Sequence, residues 1–535
     1  MRNFQLPGRS PVVAANGMAA TSHPLATGTA VQILTQGGNA MDAAVAACAV
    51  QSVVEPQSTG IGGDCFVLYA PHGKGPVVAY NGSGRAPRSA TADWYRERGI
   101  DSIEARSPHA VTIPGAVDAW ARLAGDFGTM GLDKLLQPAI QFARDGYPVH
   151  ARVAFDWHRA ADTVSREATT AAIFLPKGNI PNAGDMHAQP VLAKTLSRIA
   201  EKGRDGFYKG MVAEDLVAYL KSLGGLHSME DFENARGEYV DPIATHYQGY
   251  EVLECPPNGQ GLTALIMLNI LAELGVSGTD PLSVDRLHLE IEAARLAYQE
   301  RNRYVADPAM ETVPIKELLS AEHTCRLCAF IDRQKTMQSL PQVNLSETSL
   351  ASHGDTVYLC VVDRDNNAVS MINSIYTQFG SGLTGPASGV LLQNRGVSFS
   401  LDPYHANCIA PQKRPLHTII PGMLAKEGKM VMPFGVMGGQ YQPAGHAHVL
   451  SNLIDYGLDI QEAIDLARVF PLPEGDVEVE DGIPDSVRKG LVSRGHGLVR
   501  AQTPIGGAQA IWMDWERGVL VGGSDPRKDG CALGF

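Results

Sequence analysis

Gly354-Asp355-Thr356-Val357-Tyr358-Leu359-Cys360-Val361-Val362-Asp363 stands where the chain changes character most abruptly. Upstream, residues 334–355 are polar, with neither helical nor alternating periodicity, and read as a mobile loop. Downstream, 357–362 and 368–373 are strand-like apolar runs joined by the turn Arg364-Asp365-Asn366-Asn367. Thr356 sits between loop and strand. A threonine there is ordinary, because β-branched residues suit strands. A second reading is chemical. If the chain is cut before Thr356, that residue gains a free α-amine beside its own hydroxyl. With a reference pKa of about 8, the amine can serve as base for the hydroxyl nucleophile, and no histidine is needed.

Working outward, 25–35 and 40–54 read as two helices, hinged at Gly37-Gly38-Asn39 and stopped by Glu55-Pro56. The second is apolar on nearly every face, as a helix buried between layers must be. The loop Gly60-Ile61-Gly62-Gly63-Asp64 leads into a strand at 65–69, with 77–80 as its hairpin partner. Further helices are expected at 116–127, 132–145, 191–202, 213–223, 263–274 and 284–302, and short strands at 389–393 and 430–434. Hairpins mixed with long apolar helices imply sheets covered by helices, the α+β layered class.

The chain has 535 residues, 44 Lys+Arg against 57 Asp+Glu, and a net charge of −13. With 44% hydrophobic and 19% charged residues it holds ample material for a large core, which excludes wholesale disorder. The acidic balance argues against nucleic acid or an anionic membrane as partner. No stretch is long and apolar enough for a membrane span, and the first ten residues lack the apolar region of a secretory signal. Cys48, Cys65, Cys255, Cys325, Cys328, Cys360, Cys408 and Cys531 are scattered among mostly apolar neighbours, like reduced core thiols, so the default compartment is cytoplasm. A signal already removed would leave no trace.

Several motifs carry less than they promise. Gly380-Ser381-Gly382-Leu383-Thr384-Gly385 matches GxGxxG but precedes a strand-like run instead of a helix, so dinucleotide geometry fails. Cys325-x-x-Cys328, with His323 nearby, lacks the second ligand cluster of a structural zinc site. Asp363 and Asp365 flank a turn, where aspartate bonds local backbone. His417, His446 and His448 fit satisfied core histidines better than a catalytic base. No metal or organic cofactor is expected.

The run around Thr356 resembles the self-cleavage site of the γ-glutamyltransferase (glutathione hydrolase) family, N-terminal-nucleophile hydrolases with an αββα sandwich. Ordered matches cover nearly the whole chain: His23-Pro24-Leu25-Ala26-Thr27, Gly37 to Ala44, Gly60 to Gly63, Pro256-Pro257-Asn258-Gly259-Gln260-Gly261, Lys413-Arg414-Pro415, Met437-Gly438-Gly439 and Asp525 to Gly530. The resemblance implies that the Thr356 hydroxyl attacks the Asp355 carbonyl and the resulting ester hydrolyses. That leaves a large subunit 1–355, ending in the loop 334–355, and a small subunit 356–535 that carries the nucleophile. The two fragments would remain a heterodimer; its further dimerisation is left open. In turnover Thr356 would take an acyl group from a small-molecule amide. Ser374 falls where the family has a threonine bonded to the nucleophile, and Gly438 and Gly439 match the oxyanion hole.

The head-group half of the pattern departs from the family. The α-carboxylate-binding arginine falls at Ser83, with Arg85 two positions later. The aspartate that holds the α-amine becomes Ser398, a glutamine three residues earlier becomes Arg395, an adjacent serine pair becomes His417-Thr418, and an asparagine becomes Tyr376. An acid is lost and a guanidinium gained, which suits an acyl group ending in a bare carboxylate, as in oxamate or a glutaryl amide. The sequence thus resembles the oxamate amidohydrolase and cephalosporin acylase branch. Glutathione hydrolysis or γ-glutamyl transfer is the runner-up, and a catalytically silent scaffold of the same fold is a third alternative.

Overall fold

The computed structural model describes residues 5, 8–276, 278, 280–340 and 356–535. Asp355 and most of the loop expected at 334–355 lie outside the described residues. Two seven-stranded sheets form the centre. Edge to edge, the first sheet runs Val12–Ala14, Val519–Ser524, Gly507–Asp514, Lys429–Met437, Gly422–Lys426, Tyr250–Glu254 and Ile243–Tyr247. The second runs Cys531–Gly534, Met18–Thr21, Val357–Val362, Ala368–Ser374, Asp64–Ala70, Val78–Gly82 and Glu238–Val240. Every neighbouring pair in both sheets is antiparallel.

The sheets face each other across a buried apolar layer that includes Met18, Phe66, Leu68, Tyr358, Cys360, Met423, Met437 and Ile511. Helices cover the outer faces. Ala40–Val54 is buried at every one of its 15 residues, packed between the second sheet and the helices outside it. Small side chains make that close approach feasible. Its start is set by a capping box in which Asn39 and Asp42 satisfy each other's backbone N–H. Helices Gly261–Leu274, Val284–Tyr304 and Gln442–Ile454 close the other side. The fold is an αββα sandwich, as the sequence led us to expect. No helix among the described residues is long and apolar enough to cross a membrane.

Two local expectations change. The helix expected over 132–145 divides into Leu132–Leu135 and Gln137–Asp145, because Pro138 fits a helix's first turn but not its interior. The strand expected at 389–393 is no named strand; only isolated bridges Gly62–Leu392 and Thr384–Leu391 touch it. The apolar residues there pack as a folded loop, whose Ser381 N–H and hydroxyl both donate to the Leu392 carbonyl. That loop contains the GxGxxG match.

Candidate active site

Thr356 is buried at 1% exposure immediately before strand Val357–Val362. Its Oγ1 lies 3.1 Å from Oγ of Ser374, the last residue of the neighbouring strand Ala368–Ser374. The Tyr376 N–H donates to the same Ser374 oxygen at 2.9 Å. Antiparallel pairing thus brings together the start of one strand and the end of the next.

The glycine turn reaches the same edge from the other sheet. Tyr358, two residues after Thr356, packs so closely on Gly435 that a Cβ there would fall 2.4 Å from its ring. Farther along, Ser370 donates to the Phe434 carbonyl at 3.2 Å. Strand Lys429–Met437 thus packs across Tyr358 and Ser370 and runs on into the glycine turn at Gly438. Gly438 and Gly439 have φ of 136° and 57°, values that L side chains adopt only with strain, so the turn needs glycine.

The substituted head-group residues form one buried cluster. Arg395 begins the 3-10 turn Arg395–Ser398 and is wholly buried. Its Nη1 donates to Thr418 Oγ1 at 2.8 Å. Its Nε and Nη2 are buried without a hydrogen-bond partner among the described residues, as are the hydroxyls of Ser398 and Tyr376. The guanidinium carbon sits 4.0 Å from the centre of the Tyr376 ring, a cation–π contact worth about 2 kcal/mol when desolvated. Burial pulls Arg395 down to about 10, which still leaves it charged at neutral pH.

His417 Nε2 lies 3.0 Å from Asp64 Oδ2, and its Nδ1 accepts from the Ile419 N–H at 3.3 Å. That pattern makes Nε2–H the donor and the ring neutral. Burial, then the nearby Arg395, pushes its pKa down to about 4. His417 therefore has no free nitrogen for base catalysis. Asp64 is an acid that the sequence comparison missed. Its Oδ1 also accepts from Gln393 Nε2 at 2.9 Å and the Gly115 N–H at 3.1 Å, so both oxygens are engaged.

Arg85 takes no part in this cluster's described contacts. Its Nη1 donates to the Gln412 carbonyl at 2.9 Å and faces Asp307 at 3.5 Å, with Arg414 and Glu238 as its other charged neighbours. At Ser83 the hydroxyl accepts from Asn258 Nδ2 at 3.0 Å, within the Pro256–Gly261 motif. His446 pairs with Glu254 at 2.6 Å and His448 with Glu290 at 2.9 Å, as core residues. Cys325 and Cys328 lean on Glu273 and the Ile270 carbonyl of helix Gly261–Leu274. A cavity of about 400 Å³ lined by Tyr80, Asp118, Arg122, Arg204, Arg236 and neighbours shares no residue with the Thr356 cluster.

Gln260, inside the Pro256–Gly261 motif, supports the site together with Arg301, a residue without a sequence signal of its own. Gln260 Nε2 donates to the carbonyls of Thr418 at 2.7 Å and Gly439 at 3.0 Å. Arg301 Nη1 donates to Gln260 Oε1 at 2.8 Å and also to Gln440 Oε1. Asn258 and Gln260 further hold His417 through backbone bonds of 2.8 and 3.0 Å. The Pro256–Gly261 run therefore ties the head-group residues to the glycine turn.

Comparison with known proteins bears on the family and the fold. The gamma-glutamyltranspeptidase family model matches residues 26–535. The crystal structure of cephalosporin acylase from Bacillus halodurans superimposes with a TM-score of 0.93 at 40% identity, covering 100% of this chain and 99% of that one. The glutathione hydrolase-like YwrD proenzyme of Bacillus subtilis (strain 168) is 36% identical over 98% of this chain and 99% of its own length. The oxamate amidohydrolase proenzyme of Klebsiella pneumoniae subsp. pneumoniae is 33% identical over 98% and 99%. With a fold, a motif order and relatives that agree over almost its full length, this chain is an enzyme of the gamma-glutamyltranspeptidase family of N-terminal-nucleophile hydrolases.

Proposed function

We propose that this enzyme cleaves itself before Thr356 and then hydrolyses the amide bond of a small acyl group that ends in a bare carboxylate, of oxamate or glutaryl type. Cleavage divides it into a large subunit 1–355 and a small subunit 356–535. Thr356 Oγ1 attacks the amide carbonyl carbon, and its proton passes to the residue's own α-amine. The N–H groups of Gly438 and Gly439 receive the oxyanion, and Ser374 holds the nucleophile through its hydroxyl. Collapse breaks the C–N bond, and the departing amine takes the proton from the α-ammonium. Water then hydrolyses the acyl-threonine ester along the same route.

The observation that carries the substrate reading is Arg395. It is buried, with Nε and Nη2 lacking a hydrogen-bond partner among the described residues, above a tyrosine whose N–H bonds Ser374. Those two nitrogens form the edge of a guanidinium that grips a carboxylate with two parallel bonds. By contrast, Asp64, the acid that faces Arg395 among the described residues, is already engaged at both oxygens. The neighbourhood therefore offers an anion a ready partner and an ammonium none. Relatives named as proenzymes support the self-cleavage, and one named for oxamate supports the acyl group. All eight cysteines are free thiols, which suits the cytoplasm.

Mass analysis and turnover test this together. Wild type should yield two fragments, the smaller beginning at Thr356, and should prefer oxamate or a glutaryl anilide to a γ-glutamyl anilide. Thr356→Ala should remain one inactive chain. An intact single chain that turns over would sink the mechanism, and a clear preference for the γ-glutamyl donor would restore glutathione chemistry.

A further inference from the structure

We propose that Arg301 is a positioning residue that holds the Gly438-Gly439 turn in its working geometry, acting through Gln260, Gln440 and Tyr298. The inference rests on the reading above that this turn receives the oxyanion.

Two successive glycines have the freest backbone a chain can offer, whereas an oxyanion site works only if its donors are fixed before charge develops. The turn therefore needs restraint from outside. Its three consecutive carbonyls are each pinned by a different donor. Gly438 O accepts from the Tyr441 N–H at 3.0 Å, Gly439 O from Gln260 Nε2 at 3.0 Å, and Gln440 O from the Tyr298 hydroxyl. The last two donors come from outside the turn, and both touch Arg301. Its Nη1 donates to Gln260 Oε1 at 2.8 Å, and its guanidinium carbon stacks 4.6 Å from the Tyr298 ring centre. The same nitrogen donates to Gln440 Oε1, the side chain of the residue that follows the glycines.

The charge of Arg301 is unusual in its setting. The residue is 4% exposed, on helix Val284–Tyr304. Its described side-chain partners are the amides of Gln260, Gln440 and Asn302, none of them a carboxylate. Buried Arg468, by contrast, has Asp525 at 2.6 Å, whereas Arg301 shares with Arg395 the lack of a carboxylate partner among the described residues. Burial lowers Arg301 to about 10, so it remains a cation at neutral pH. A cation with no carboxylate partner among the described residues, one amide away from the turn, favours negative charge there. Lysine could not replace it, because three partners in different directions need a planar fork of donors.

The test uses processed enzyme and a glutaryl anilide. Losing one oxyanion-hole donor lowers kcat by about 10²–10³-fold, so loosening the turn through Arg301→Lys should lower it about 10–100-fold. KM should stay within about 3-fold, because the interaction acts on the transition state. Tyr298→Phe removes one hydroxyl, keeps the ring, and should show the same split with a drop of about 3–10-fold. Unchanged kcat in both variants would overturn the proposal. So would a loss explained by unfolded protein, with wild-type kcat per folded site. Thr356→Ala run alongside separates two failures. If it stays active, the reading of the site falls and the clamp with it. If it is dead while Arg301→Lys keeps wild-type kcat, the clamp alone falls.

Discussion

Arg395 and Ser398 open and close a single 3-10 turn, and each has buried polar atoms without a hydrogen-bond partner among the described residues. If Arg395 grips the substrate's carboxylate, Arg395→Ala removes a charge-assisted hydrogen bond of about 1.5–3 kcal/mol and should lower kcat/KM about 10- to 150-fold. Self-cleavage should continue, since Thr356 attacks its own chain without that pocket. Ser398→Asp should shift preference toward donors with an α-ammonium by restoring a counter-charge. Competition between γ-glutamyl and glutaryl anilides reads both effects, and a variant Arg395→Ala with undiminished glutaryl turnover would refute the assignment. Arg395, Ser398, Tyr376, His417 and Thr418 were legible because each replaces a residue in a motif of known order. Asp64 and Arg301 were not. Asp64 ends a glycine loop and Arg301 lies in a long helix, where a charged residue is ordinary; only folding brings them beside His417 and the glycine turn.

Elements meet at Gly435 and Tyr358, where the two sheets come into close contact. A Cβ at Gly435 would fall 2.4 Å from the Tyr358 ring. The ring cannot retreat, because its hydroxyl is 2.8 Å from Ser370 Oγ and the residue is fully buried. Gly435→Ala should therefore cost about 1–3 kcal/mol by overpacking and lower kcat, since Thr356 and Gly438 flank the contact. Gly125→Ala, inside helix Ala116–Phe127 with nothing within 4 Å, is the control and should be neutral or stabilising. Equal denaturation midpoints for the two variants would show that sheet spacing is not set here. Such spacing is invisible in sequence, which shows periodicity within an element and not what faces it. Periodicity did locate the helices Ala40–Val54 and Ala116–Phe127 to the residue, and the hairpin 357–362 with 368–373, whose second strand runs one residue further to Ser374. It failed over 389–393, because a short apolar run in a buried loop looks like a strand.

At the scale of the whole molecule, the proposed cut does not separate two bodies. Strand Met18–Thr21, from the large fragment, lies between Cys531–Gly534 and Val357–Val362, both from the small one. In the same sheet Ala368–Ser374 pairs with Asp64–Ala70 across the fragment boundary. In the other sheet Val12–Ala14 pairs with Val519–Ser524, and Tyr250–Glu254 with Gly422–Lys426. The layer between the sheets is shared as well, with Phe66 and Leu68 from one fragment against Tyr358 and Met423 from the other. Parting the fragments would break backbone ladders at five strand junctions and expose that layer to water, a cost comparable to unfolding the enzyme. Cleaved enzyme should therefore run in native size-exclusion as one particle of 57.1 kDa, or a multiple of it if the heterodimer pairs further, and give two polypeptides only in denaturant. Two native peaks at the sizes of the separate fragments, without denaturant, would mean that the cut lies elsewhere or that the interleaved sheets do not hold.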